Sequence, residues 1–129
     1  MKRLFLALAV AFLALAAAGP SFAHHGTAGY DMSRTVTLNG TVTKYYWSNP
    51  HVILYLDAKD EKGELQHWSL EFAAPLLMKR QGWSSTSMKP GDQIVADVHP
   101  SKNGAPVGIS GTATFLLKFV VNGKELPHL

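Results

Sequence analysis

The sequence contains no cysteine among its 129 residues. This absence excludes disulfide bridges, thiolate ligands for metal ions and covalent attachment of haem through a Cys-x-x-Cys-His motif. A folded domain of this chain must therefore be stabilised by the packing of its apolar core. Any metal site must be built from histidine, carboxylate or amine ligands.

A surplus of positive charge is also missing outside the first few residues. The formal net charge is +3, but without Lys2 and Arg3 ten basic residues face nine acidic ones. Proteins that bind nucleic acid have a basic patch or stripe. We therefore expect no nucleic-acid partner.

One long apolar run occurs, and it lies at the start of the chain. Residues 4–18 carry no charge and follow two basic residues, and Ser21 and Ala23 form a small-x-small cleavage pattern. These features are typical of a secretory signal peptide over residues 1–23. The run is shorter than a transmembrane helix requires, and Gly19 interrupts it. We expect cleavage after Ala23, export to the periplasm or the medium, and no stable membrane anchor afterwards.

The remaining 106 residues are expected to form one domain. Residues 24–34 have little periodicity and predict an irregular N-terminal leader before a domain over residues 35–129. Apolar and polar residues alternate over residues 35–43, which predicts a half-buried β-strand. Gly40 falls on the inward face of this strand and indicates a bend or a close backbone approach.

The later elements follow from the same signals. Period-two alternation predicts two strands over residues 52–57 and 67–72, joined by a polar turn. Pro75 and Gly82 bracket a short helix. Further strands are predicted over residues 94–99 and 109–117, and the Asn122-Gly123 pair predicts a closing hairpin with a short sixth strand.

This order of elements favours a particular fold. Three strands, a short helix and two more strands are the order of an oligonucleotide/oligosaccharide-binding (OB) barrel. We therefore predict a mainly β protein, with a small OB-like barrel of five to six strands and one short helix between strands three and four. Another small β-sandwich or barrel with a different strand order is the alternative. In an OB fold, the loops after strands one and four lie on the binding side, here residues 47–51 and 99–105.

Histidines mark the possible metal site. Cleavage after Ala23 makes His24 the first residue, so its amine and imidazole can chelate one ion together. An imidazole from the fold would complete a near-planar set of three nitrogens, which suits copper better than magnesium or calcium. His25 is an additional donor. The alternative is that this terminus is only a frayed start.

Two further histidines could complete that set. His51 follows Asn49 and Pro50 at the start of the second predicted strand, and His99 ends the fourth, so an OB arrangement places both on one rim. A histidine that caps the loop by hydrogen bonds is the alternative for His51. The predicted metal ligands are therefore His24, His25, His51 and His99.

The aromatic loop suggests a second function. Tyr45 and Trp47 could stack on a ligand near Asn49, as aromatic residues do in OB loops. A metal-free module of this kind would bind a peptide, a glycan or a small apolar molecule. The alternative is that these rings only close the end of the barrel.

Enzymatic motifs are absent from the sequence. It has no Ser/His/Asp order, no glycine-rich phosphate loop and no zinc-ligand spacing. A copper-dependent oxidative enzyme is a third possibility, but so small a domain offers little surface for a substrate. We expect an exported, non-enzymatic copper-binding β-barrel, and the sequence does not predict its oligomeric state.

A set of short motifs extends over nearly the whole chain after residue 22. They are Ala23-His24-His25, Gly40-Thr41-Val42, Trp47-Ser48-Asn49-Pro50-His51, Gly82-Trp83, Lys89-Pro90-Gly91-Asp92 and Lys102-Asn103-Gly104. With these motifs the chain resembles a family of small exported bacterial proteins of unknown function. The resemblance implies export and a compact β domain, and it implies no particular activity.

Overall fold

The computed structural model describes residues 26–128, which form one α-helix and seven β-strands. The predicted signal peptide, His24 and His25 lie outside the described residues. The elements are β1 (Val36–Tyr46), β2 (Ile53–Lys59), β3 (Leu65–Glu71), α1 (Pro75–Arg80), β4 (Gln93–Pro100), β5 (Val107–Ile109), β6 (Phe119–Val121) and β7 (Lys124–Glu125), after a 3-10 turn at Thr27–Gly29. Within residues 26–128, none of the helices has the length and apolar character that crossing a lipid bilayer requires.

The first five strands close into a barrel. β1 pairs antiparallel with both β2 and β4. β3 pairs antiparallel with β2 and parallel with β5, and β5 pairs antiparallel with β4. The strand order is therefore β1-β2-β3-β5-β4 and back to β1, with β6 and β7 added beside β4. This confirms the predicted OB-like barrel with one short helix between the third and fourth strands.

Alternation in the strands builds the core. Every second residue of β2 and β4 is buried, because one face of each strand points into the barrel. Phe72, Trp83 and Phe119 meet in the interior with ring centroids 5.1–5.8 Å apart. Helix α1 adds Met78, which is fully buried. Met78 from the helix and Phe119 from β6 therefore both belong to the buried core.

β1 is longer than the sequence predicted. Alternation indicated an end near Thr43, but pairing with β2 continues to Tyr46. The register shifts between Val42 and Lys44, as in a β-bulge. An extra residue at a bulge breaks the period of two without ending the strand. The alternation of apolar and polar residues therefore did not show that β1 continues to Tyr46.

The predicted fifth strand over residues 109–117 is wrong. β5 ends at Ile109, and the amide of Thr112 donates to the carbonyl of Phe115 at 2.7 Å in a turn. This turn folds Leu116 back into the core, where it is buried. The apolar run is therefore divided between a turn and β6. The closing hairpin is confirmed, since Asn122 and Gly123 have φ values of 49° and 81° between β6 and β7.

Gly40 stands where β1 passes between β2 and β4. A Cβ atom at Gly40 would lie 2.5 Å from the carbonyl oxygen of Asp57 and 2.7 Å from Cδ1 of Leu56. The carbonyl belongs to the paired backbone of β2 and cannot move without disturbing the ladder. We expect Gly40→Ala to lower the free energy of unfolding by about 2–3 kcal/mol, measured by chemical denaturation.

Gly29→Ala is the matched control for this substitution. No atom lies within 4 Å of a Cβ built at Gly29. We expect its free energy of unfolding to stay within about 0.5 kcal/mol of the unsubstituted protein. Equal stabilities for the two variants would contradict the close approach at Gly40.

Candidate functional site

His51 lies on the rim of the barrel just before β2, and a hydrogen bond to the backbone fixes its ring. It follows a cis Asn49-Pro50 peptide bond, and its Nδ1 lies 2.9 Å from the carbonyl oxygen of Phe72. A carbonyl can only accept, so Nδ1 carries the hydrogen and Nε2 carries the lone pair of the neutral ring. Histidines that bind metal ions are commonly oriented in this way, by donation from the other ring nitrogen.

Glu71, the last residue of β3, contacts both His51 and the leader. Its Oε1 is 3.4 Å from Nδ1 of His51, and its Oε2 accepts a hydrogen bond of 3.0 Å from the hydroxyl of Tyr30. Burial and the negative charge of Glu71 raise the pKa of Tyr30 to about 12. The phenol therefore remains a donor at neutral pH.

The leader is held against the barrel by backbone contacts as well. The amide of Asp31 donates to the carbonyl of Pro100 at 2.8 Å, and the amide of Lys102 donates to the carbonyl of Gly29 at 3.0 Å. Tyr30 forms an isolated β-bridge with Ser101. The leader thus runs along the end of β4 and the β4–β5 loop, on the binding side expected for an OB barrel.

A cavity of about 250 Å³ lies between the leader, the β1–β2 loop and α1. Its lining includes Gly26, Thr27, Pro50, His51, Glu71 and Leu77. Gly26, the first described residue, and His51 therefore face the same space.

His99 is placed differently from His51. Its Nδ1 donates to the carbonyl of Arg34 at 2.8 Å, and its ring meets Phe115 at 5.7 Å between centroids. In the described chain His99 does not line the cavity, and β5 separates its strand from β3. The structure therefore brings Gly26 and His51 together and leaves His99 at a separate position on the outer face.

The predicted aromatic ligand site consists mainly of packing contacts. The hydroxyl of Tyr45 donates to the carbonyl of Ser84 at 3.0 Å, and its ring lies 6.1 Å from that of Trp47. Both rings pack against the core cluster, and burial raises the pKa of Tyr45. Asn49 is exposed in the loop. The exposed aromatic pair is instead Tyr46 and Tyr55, on the outer face of β1 and β2.

Sequence reasoning missed Tyr30 and Glu71. Glu71 has the parity of an outward strand residue and gave no sign of a partner. Tyr30 is the only aromatic residue between residues 24 and 34, and this was the one available signal. Their contact joins positions 41 residues apart, which only the folded barrel brings together.

The described residues do not complete a metal site by themselves. Between residues 26 and 128, no group of three or more His, Cys, Asp or Glu side chains is arranged to hold a metal ion. A metal at Nε2 of His51 would therefore need donors in addition to the described side chains. Gly26, the first described residue, lines the cavity beside His51.

Comparison with known proteins gives a family and no activity. Residues 11–110 match DUF6152, described as a family of unknown function. Neither the curated proteins nor the solved structures gave a match. The match covers well over half of the 129 residues, so the chain belongs to the DUF6152 family of unknown function.

Proposed function

We propose that the exported, mature protein binds one copper ion between its N-terminus and the β1–β2 loop, without acting as an enzyme. The donors are the amine and imidazole of His24 and Nε2 of His51, with His25 as an additional nitrogen. The observation that supports this proposal best is the cavity shared by Gly26 and His51.

The reach of the leader supports the proposal. Gly29 and Asp31 are held by backbone hydrogen bonds, and Gly26, three residues before Gly29, lines the cavity. Two residues of extended chain span at most ~7 Å, so donors on residues 24 and 25 would lie close to Gly26, which lines the cavity. Anchoring of the leader also reduces the conformational freedom that binding would otherwise remove.

The chemistry of the donors favours copper. Imidazole and amine nitrogens bind Cu(II) more tightly than other divalent ions of the first transition row, and oxygen-preferring ions such as Mg²⁺ would be bound poorly. The carboxylate beside His51 adds negative charge near the ion and fixes the ring, as outer-shell groups do in metal sites. Cu(II) is therefore the ion that the site should select.

The metal-free alternative has weaker support. It requires Tyr45 and Trp47 to present their faces to a ligand, whereas both pack against the core and Tyr45 hydrogen bonds to Ser84. The cavity beside His51 is lined by Pro50 from that loop and by neither ring. The copper site therefore accounts for more of the structure than an aromatic platform does.

The test is a Cu(II) titration of protein that begins at His24, in competition with a chelator of known affinity. We expect one equivalent to bind, and we expect acetylation of the α-amine to lower the affinity about tenfold or more, because one of the nitrogens is lost. Acetylated protein is a close control because every side chain remains. Equal affinity of the two forms, or no binding by either, would contradict the proposal.

A further inference from the structure

We propose that the cavity beside His51 binds a small organic amine, with the apolar part of the molecule inside the cavity and its ammonium group at the carboxylate of Glu71. The proposal uses only residues that the structure describes. It is separate from the proposed copper site, because it requires no metal ion and no residue before Gly26.

The walls of the cavity are mainly apolar. Phe72, Ala73 and Ile109 are buried, and Leu77 of α1 is half-buried. These side chains and Pro50 line a volume of about 250 Å³. An apolar protein cavity of about 150 Å³ is large enough to bind benzene. The space therefore fits one ring of that size with a short side arm.

Glu71 gives this apolar cavity a charged wall. No lysine or arginine among residues 26–128 lines the cavity, so its described lining has a carboxylate that neither kind of side chain neutralises. The side chain of Glu71 accepts one hydrogen bond from these residues, from the hydroxyl of Tyr30 at 3.0 Å. A carboxylate can accept about four hydrogen bonds. An ammonium group on the ligand would supply both further donors and a positive charge.

The partial burial of Glu71 makes the charge of the ligand decisive. Its side chain is 34% exposed, and attraction between charges becomes stronger as water is excluded from around them. A neutral molecule of the same shape makes the same apolar contacts but gains no such attraction, and an anionic one is repelled. The cavity should therefore select an amine over the corresponding alcohol and over the corresponding acid.

The backbone holds the walls of the cavity in place before any ligand binds. Glu71 of β3 is paired with Ile109 of β5, and the amide of Phe72 donates to the carbonyl of Val52 at 3.0 Å. Sites on paired strands are positioned more closely than sites on loops. Largely preformed apolar cavities with a few polar groups are typical binding sites for small molecules.

The experiment titrates the mature protein with phenethylamine in the presence of a metal chelator, at about pH 8, where an ordinary imidazole is neutral. We expect one equivalent to bind with a Kd of about 1 mM or lower. Phenethyl alcohol and hydrocinnamate carry the same ring and should bind at least about tenfold more weakly. In nuclear magnetic resonance spectra, the amides of Thr27, Leu77 and Thr112 should shift, because these residues line the cavity. The amide of Thr41 should not shift.

Glu71→Gln tests the role of the carboxylate. The substitution keeps the shape of the side chain and removes its charge. We expect the affinity for phenethylamine to fall about tenfold and to approach that for phenethyl alcohol. Glu64→Gln, at an exposed position before β3, is the matched control and should leave both affinities unchanged.

Ala74→Leu tests the location of the apolar part of the ligand. Ala74 lines the cavity, so a larger side chain there should reduce its volume and abolish binding of both the amine and the alcohol. Ala28→Leu makes the same change at an exposed residue outside the described lining and should leave binding unchanged. The midpoint of denaturant unfolding shows that each variant is folded.

Three results would overturn the proposal. They are no binding of phenethylamine by the unsubstituted protein, equal affinities for the amine, the alcohol and the acid, and an unchanged amine affinity in Glu71→Gln. Shifts confined to Tyr46 and Tyr55, the exposed aromatic pair, would also contradict it, because they would place the ring on the outer face of the sheet. None of these results decides the copper titration, and failure of the copper titration would leave this proposal standing.

Discussion

Replacing His51 with alanine is expected to lower the Cu(II) affinity of the mature protein about 100-fold or more. The substitution removes the donor that the barrel supplies, and loss of a direct ligand should exceed the 10- to 100-fold cost of losing an outer-shell partner. The hydrogen bond of His51 to the carbonyl of Phe72 is lost as well, at a partly exposed position where the cost in stability is small. The measurement is a competitive Cu(II) titration.

His67→Ala is the matched control for His51→Ala. The side chain of His67 is 79% exposed and contacts Asp57 at 2.6 Å on the outer face of the sheet, so its loss should leave the affinity unchanged. His99→Ala tests the remaining sequence prediction. Because His99 does not line the described cavity, we expect little change. Equal losses for His51→Ala and His67→Ala would indicate nonspecific binding to surface imidazoles and would refute the site.

Replacing Trp83 with alanine is expected to lower the free energy of unfolding by about 3–5 kcal/mol. Trp83 is 1% exposed, and its ring lies 5.1 Å from that of Phe119 and 5.2 Å from that of Phe72. Its indole N–H donates to the carbonyl of Pro127 at 2.8 Å. The substitution therefore leaves a cavity in the core and also removes this hydrogen bond. Small domains have free energies of unfolding of about 5–15 kcal/mol, so the expected loss is a large fraction of the total.

Denaturant unfolding monitored by circular dichroism measures this loss. Leu76→Ala is the control from the neighbouring helix, because Leu76 is 61% exposed and should contribute within about 0.5 kcal/mol. A loss at Trp83 no larger than the loss at Leu76 would mean that the aromatic cluster is not the centre of the core.

The fold was predictable where one face of a strand is buried. β2 and β4 show strict alternation because every second side chain enters the barrel, and Pro75 and Gly82 marked the helix. The bulge after Val42 and the turn at residues 112–115 were not predictable. A bulge changes the period locally, and an apolar run such as residues 115–121 has the same appearance whether it forms one strand or folds back on itself.

The site was predictable only in part. The Asn49-Pro50 turn indicated a fixed His51, and parity placed it on the rim. The contact between Tyr30 and Glu71 was not predictable. Tyr30 lies in a leader whose sequence has no periodicity, and rules for local structure do not predict where such a segment packs. His99 was expected near His51 because both were predicted on one rim. In the barrel, β5 lies between β4, which carries His99, and β3, whose last residue Glu71 contacts His51.

Pulsed electron paramagnetic resonance of the Cu(II)-loaded mature protein tests the central claim most directly, because it counts the imidazole rings bound to the ion through their remote nitrogens. The proposed site predicts one bound ring fewer in His51→Ala than in the unsubstituted protein, where His24 and His51 each supply a ring and His25 can add another. An identical ring count in the two proteins would show that the barrel supplies no ligand, and would contradict a copper site shared between the leader and the β1–β2 loop.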